Sequence, residues 1–176
     1  MIKLNLGCGH RIFPKEDGWI NCDLANNWSD KKPDVECDIK KLPFDDNYAD
    51  EVHAIHVVEH FYLFEITDVL KEWKRVLKPG GTLVIEVPDM NKILRWFMQS
   101  PVDPRMTWWA LYGDPGYKNP DMVHKWCYTF DMLLSILNGV GFKNIKEESV
   151  KFHKPQRDMR IVGEKPKEGE ENGYNK

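Results

Sequence analysis

Short apolar runs alternate with turn-rich segments through the first half of the chain. Ile2–Leu6 reads as a strand that stops at Gly7-Cys8-Gly9. Trp19–Asp23 and Asp34–Asp38 read as a second and third strand, each ending in an acid. Asp50–Ile55 is a fourth, and Thr82–Val87 a fifth, β-branched and bounded by Gly80-Gly81 and Pro88. Between the last two, Leu63, Ile66, Leu70, Trp73 and Leu77 recur at three- and four-residue spacing, the stripe of an amphipathic helix. Lys71, Lys74, Arg75 and Lys78 suit its negative end, and Pro79-Gly80-Gly81 stops it. A second helix runs from an N-cap at Thr129 through Phe130, Leu133, Leu134 and Leu137 to Gly139 or Gly141. Asp89–Gln99 reads as a shorter helix, and Phe142–Phe152 and Asp158–Glu164 as two closing strands.

Strands alternating with helices predict an α/β class fold, a doubly wound and mostly parallel sheet. Five strands plus the closing pair make seven, with a hairpin bringing an antiparallel strand to one edge. Residues 1–163 are read as one domain. Residues 100–127 interrupt it with four prolines and Trp108-Trp109, an inserted segment expected to form a lid over the binding site. Residues 164–176 are charged and poor in apolar positions, and read as a disordered tail.

Composition narrows the classes. A chain of 176 residues, 41% hydrophobic and 30% charged, has the balance of a globular domain. Its net charge of −3 gives no strong nucleic-acid signal. No apolar run reaches the length of a membrane span, and no signal-peptide layout opens the chain. Cys8, Cys22, Cys37 and Cys127 are scattered without C-x-x-C, so a reducing, cytoplasmic location is expected.

The chemistry is expected at the strand ends, where open α/β sheets bind ligands. The glycines of Gly7-Cys8-Gly9 let a backbone approach a ligand closely. Asp23 can accept hydrogen bonds from vicinal ribose hydroxyls, and Asp38 from an adenine amino group. Each acid alone is an ordinary turn residue. The ordered set suits a nucleoside-like ligand.

These residues resemble the class I S-adenosylmethionine-dependent methyltransferases, especially the small ones of the "type 11" kind. Leu4-Asn5-Leu6-Gly7-Cys8-Gly9 is similar to their first motif, and Asn21-Cys22-Asp23-Leu24 to the ribose-binding strand end. Cys37-Asp38-Ile39-Lys40-Lys41-Leu42-Pro43-Phe44 is similar to their D-x-x-x-L-P-F segment, and Arg75–Leu83 to R-x-L-K-P-G-G-x-L. His56-Val57-Val58-Glu59-His60 matches the turn after their fourth strand, and Gly141-Phe142 the junction before strand six. The resemblance spans residues 2–163 and implies a Rossmann-like fold with S-adenosyl-L-methionine as cofactor. It implies cofactor contacts from Asn5, Gly7, Cys8, Gly9, Asp23, Leu24, Asp38, Ile39 and His56.

Family members usually carry an acid where Asn5 stands, and Arg11 replaces a third glycine. About a dozen residues separate Gly9 from Asp23, so the first helix is expected to be short or missing. A subgroup found beside sugar-transfer enzymes shares that short link. It points to a glycan-like or other small-molecule acceptor and to O-methylation. The base is sought among His56, His60 and His124, with His124 preferred, and the acceptor wall at Trp108, Trp109 and Tyr112.

Three alternatives stand beside this reading. A nicotinamide dehydrogenase lacks its third glycine here. A non-catalytic nucleoside-binding module would share the fold. A zinc hydrolase could use His56-x-x-Glu59-His60, which satisfies H-x-x-E-H. Because His56 is predicted at a strand end rather than on a helix with His60, no metal is expected.

Overall fold

The structure is a computed structural model that describes residues 1–24 and 31–170. Seven strands form one sheet in the order β3-β2-β1-β4-β5-β7-β6. They are β1 (Lys3–Leu6), β2 (Trp19–Asp23), β3 (Val35–Glu36), β4 (Ala49–Ile55), β5 (Leu77–Pro88), β6 (Lys143–Glu148) and β7 (Asp158–Glu164). β1 to β5 are parallel, and β7 runs antiparallel to β5 and β6. The expected closing hairpin is present, with β6 outermost.

Helix α1 (Leu63–Val76) buries Ile66, Val69, Leu70, Trp73 and Val76, close to the predicted stripe. Leu77 already belongs to β5, so the K-P-G-G run opens that strand rather than only ending the helix. Residues of α1 from both its buried and polar sides hold the segment before β4. Trp73 Nε1 donates to Ile39 O at 2.9 Å, Leu42 N donates to Glu72 at 2.8 Å, and Arg75 donates to Phe44 O at 2.9 Å. Two motifs distant in sequence thus form one packed unit.

Helix α4 (Phe130–Val140) is capped by Thr129, whose hydroxyl accepts from Met132 N, and ends at left-handed Gly141. α1 and α4 pack on each other and share one core with Leu4, Leu6, Val52, Ala54, Leu83 and Ile85. The alternate residues of the first strands line the other face, where Asn5, Asn21 and His53 lie side by side in register. Between β1 and β2 there is only the 3₁₀ turn Lys15–Asp17, as the short link predicts. Aromatic rings cover this face instead. Phe13 packs on Trp19 at 4.6 Å and on Phe152 at 5.3 Å, and Trp19 meets the His53 ring edge-on at 4.7 Å.

After β5 come α2 (Met90–Phe97) and the insert, which is more ordered than its prolines suggest. It contains α3 (Trp108–Tyr112) and three single 3₁₀ turns. Each turn begins at an Asx-Pro pair: Asp103-Pro104, Asp114-Pro115 and Asn119-Pro120. In each, the Asp or Asn side chain accepts from the backbone N–H two residues on. In the predicted tail, Lys165 pairs by backbone with Gly80 and Gly81. Residues 171–176 lie outside the described residues.

Candidate active site

The parallel strands β1, β2 and β4 end on one rim, and the sequence-predicted residues gather there. Gly7 has φ 62° and Gly9 φ 51°, the left-handed region that favours glycine. A Cβ on Gly7 would lie 2.7 Å from Val57 Cγ2, so the turn is seated directly against the segment after β4. Asp23 closes it, accepting from Gly9 N at 2.6 Å and Leu24 N at 2.7 Å. Burial raises the Asp23 carboxyl above its usual range, against the two backbone donors that favour its charge.

The remaining cofactor candidates divide. Leu24 is exposed. Asp38 is exposed and accepts from Lys40 N, and the Ile39 carbonyl holds Trp73. The Cys8 thiol is buried and pushed up to about 12, first by that burial. Asn5 is buried beneath the turn, its amide donating to Arg11 O at 2.7 Å and Asn21 Oδ1 at 2.9 Å. Asn5 therefore shapes the loop from within. A carboxylate could not donate to that carbonyl, which gives Asn a local reason to replace the usual acid.

His56 follows β4 with φ 57°. Its Nδ1 lies 2.9 Å from Glu59 Oε1 as an ion pair, and its Nε2 lies 3.3 Å from Asp158 Oδ2. Burial opposes a charge on His56, but the two carboxylates outweigh it and hold the pKa up at about 9. A histidine that keeps its proton at neutral pH, with both nitrogens facing carboxylates, does not accept another. His56, expected as one of three candidate bases, thus sits between two carboxylates. His153 lies against the same ring, centroids 3.9 Å apart, and its Nε2 faces Arg11 at 2.8 Å.

His60 and His124 come together as sequence could not specify. His60 lies in the 3₁₀ turn Val58–His60, and His124 near the end of the insert. Their rings meet edge-on at 4.9 Å. His60 Nδ1 faces Val123 O at 3.3 Å, and His124 Nδ1 faces Ala110 O at 2.8 Å. Carbonyls only accept, so each Nδ1 carries the hydrogen and each Nε2 a lone pair. Burial lowers the His124 pKa, partly offset by Glu59. Glu59 itself is 1% exposed. Burial favours its neutral form, but the charge and hydrogen bond of His56 hold it down at about 2. Its backbone carbonyl accepts from Lys125 N at 2.7 Å and Trp126 N at 3.2 Å, fastening the insert to the rim.

The aromatic candidates separate. Trp108 and Tyr112 stack within 14° of parallel and remain 53% and 62% exposed, and Phe97 of α2 meets Trp108 edge-on. Trp109 is half-buried. Sequence reasoning missed three acids. Glu59 was read only as part of H-x-x-E-H. Asp158 opens β7, and Glu86 is buried in β5, where it accepts from the backbone N–H of Lys151, Phe152 and His153. A carboxylate inside an apolar strand, Val84-Ile85-Glu86-Val87, was the available signal for Glu86.

Residues 18–85 match the family described as a methyltransferase domain. A sterol 4-C-methyltransferase of Caenorhabditis elegans is 37% identical over 78 residues, 44% of this chain and 23% of that protein. The chain spans less than half the length of the curated relatives it matches. A SAM dependent methyltransferase from Archaeoglobus fulgidus has a TM-score of 0.65 at 19% identity, covering 93% of this chain and 85% of the other. A Haemonchus contortus N-methyltransferase in complex with phosphomonomethylethanolamine and S-adenosylhomocysteine gives 0.59 at 13%, covering 95% and 49%.

Proposed function

Starting from a chain that carries a class I, S-adenosylmethionine-dependent methyltransferase domain, we propose that it transfers a methyl group to a hydroxyl of a glycan-like or other small-molecule acceptor. One observation carries the reading: the insert folds back so that the His124 ring meets His60, in the turn after β4, at 4.9 Å, with His124 Nδ1 held on Ala110 O.

The residues fit the cofactor. The left-handed turn at Gly7 and Gly9 is seated against Val57 and closed by Asp23. Half-buried Asp23 and exposed Asp38 present carboxylates where ribose hydroxyls and an adenine amino group need acceptors. When bound, S-adenosylmethionine supplies an activated methyl on a sulfonium. The chain's tasks are to align the acceptor, exclude water and take a proton. His124 is the base in this reading, because burial keeps it neutral and its Nδ1–H is fixed on Ala110 O. As the acceptor oxygen takes the methyl, its proton passes to His124 Nε2. Glu59 favours the imidazolium that forms. His56 is a positioning residue, a fixed cation that orients Glu59 and Asp158. Trp108 and Tyr112 offer exposed ring faces on which the apolar faces of a sugar stack.

The test is titration calorimetry with S-adenosylmethionine and S-adenosylhomocysteine, followed by transfer of labelled methyl to a panel of sugars and small alcohols. Binding with transfer supports the reading. Binding without transfer to any hydroxyl acceptor favours the non-catalytic module.

A further inference from the structure

We propose that Glu59, His60 and His124 form a binding site for a first-row divalent transition-metal ion of the zinc kind. The site lies within the region read above as the acceptor side. It stands on its own geometry, and metal binding does not depend on methyl transfer.

Three observations carry it. One ligand atom from each residue lies within 4.8 Å of the other two. Tetrahedral zinc with bonds of about 2.0–2.1 Å places neighbouring ligand atoms about 3.3 Å apart, so side-chain rotation of an ångström or so closes the set. Both imidazoles are prepared as ligands. Each donates Nδ1–H to a backbone carbonyl, Val123 O for His60 and Ala110 O for His124, and each leaves Nε2 with a lone pair. Metal-bound histidines are held in this way by a second hydrogen bond. Finally, neither oxygen of the buried Glu59 carboxylate has an aligned hydrogen bond among the described residues. Buried carboxylates are costly without such partners. His56 Nδ1 stands beside Oε1, which leaves Oε2 for an ion.

Two histidines and one carboxylate are a recurring donor set for zinc and other first-row divalent ions, with positions left for water or a substrate oxygen. The set is not the H-x-x-E-H pair. His56 is committed to Glu59 and Asp158, and His60 is joined instead by His124 from 64 positions away. A second cluster, His56, His153 and Asp158, has comparable spacing but is already occupied. Arg157 holds Asp158, and Arg11 faces His153. An ion at the first cluster would bind the insert to the turn after β4. In the loaded protein it would replace His124 as the agent that ionises an acceptor hydroxyl.

The experiment uses tag-free, chelator-treated full chain titrated with cobalt(II), followed by visible absorption and by calorimetry. One equivalent should bind, and zinc should displace it. His60→Asn and His124→Asn keep a donor for the Val123 and Ala110 carbonyls while removing Nε2. Each should raise the Kd for cobalt by more than the roughly 10–100-fold that loss of a supporting hydrogen bond costs. Glu59→Gln, close to isosteric, should do the same. Circular dichroism and S-adenosylhomocysteine binding report that each variant is folded. Absence of cobalt uptake by folded wild type, or equal uptake by both histidine variants, overturns the site and leaves the methyl-transfer reading in place. Cobalt binding with no binding of S-adenosylhomocysteine does the reverse.

Discussion

His56 and Asp158 stand 102 positions apart in the chain and meet at 3.3 Å. The contact joins the turn after β4 to the first residue of β7 across the end of β5. Asp158 is fully buried. Burial disfavours its charge, but His56 and Arg157 hold the carboxyl far below the usual carboxylate range. Lys92 of α2 reaches its backbone carbonyl, Lys154 N donates to its side chain, and His153 lies against His56. A carboxyl depressed on folding contributes stability above its unfolded value of about 3.9 and loses it as pH falls toward the folded value. Wild type should therefore lose urea resistance below about pH 4. Asp158→Asn should cost about 3–5 kcal/mol at pH 7, since it leaves Arg157 without its carboxylate and His56 with only Glu59, and should flatten the acid slope. An unchanged slope in the variant would show that other groups govern acid lability.

Asp23→Ala should weaken S-adenosylmethionine and S-adenosylhomocysteine binding by about 1.5–3 kcal/mol, the scale of lost charge-assisted hydrogen bonds. Part of the loss comes from the turn itself, because Asp23 also accepts from Gly9 N. Calorimetry on a folded variant checks this, and full-strength binding would sink the ribose assignment.

Gly7→Ala should lower stability by at least about 1–3 kcal/mol, the scale of strained left-handed backbone. It places a methyl group 2.7 Å from Val57 Cγ2 at φ 62°. Val57→Ala combined with it should recover the steric share and leave the backbone share. Denaturant midpoints of the two singles and the double measure the coupling. Strict additivity would mean that the two residues do not touch.

His124→Ala should reduce turnover by about 10²–10⁴-fold while cofactor affinity changes little, because His124 is proposed to serve the acceptor. Replacing residues 100–127 with a short linker should abolish transfer and spare cofactor binding. Near wild-type rates in either protein would remove the insert from the reaction.

Much of the architecture was legible where local rules and packing agree. The 3.6-residue stripe gave α1, Thr129 and Gly141 bounded α4, and Asp158–Glu164 is the observed β7. Asp23 and Gly7 were readable because a strand end fixes where its last residues lie. The histidine roles were not. His56 becomes a fixed cation only because Asp158 arrives from the far end of the chain, and His124 meets His60 only because the insert folds back onto Glu59. Such long-range meetings leave no periodic trace in sequence. Proline-rich composition also concealed order, since it does not reveal that three of the four prolines follow an Asx cap.

Those three Asx-Pro turns have a thermodynamic consequence. Each fixes its backbone through a side chain two residues away and a ring that restricts φ, so the conformational freedom of residues 103–122 is removed by neighbours within the insert. That loss is met once, on folding. The acceptor proposed for Trp108 and Tyr112 would meet a preorganised wall, its binding energy going into contacts rather than into ordering the protein. Selectivity on such a surface follows the shape of the ligand's apolar face.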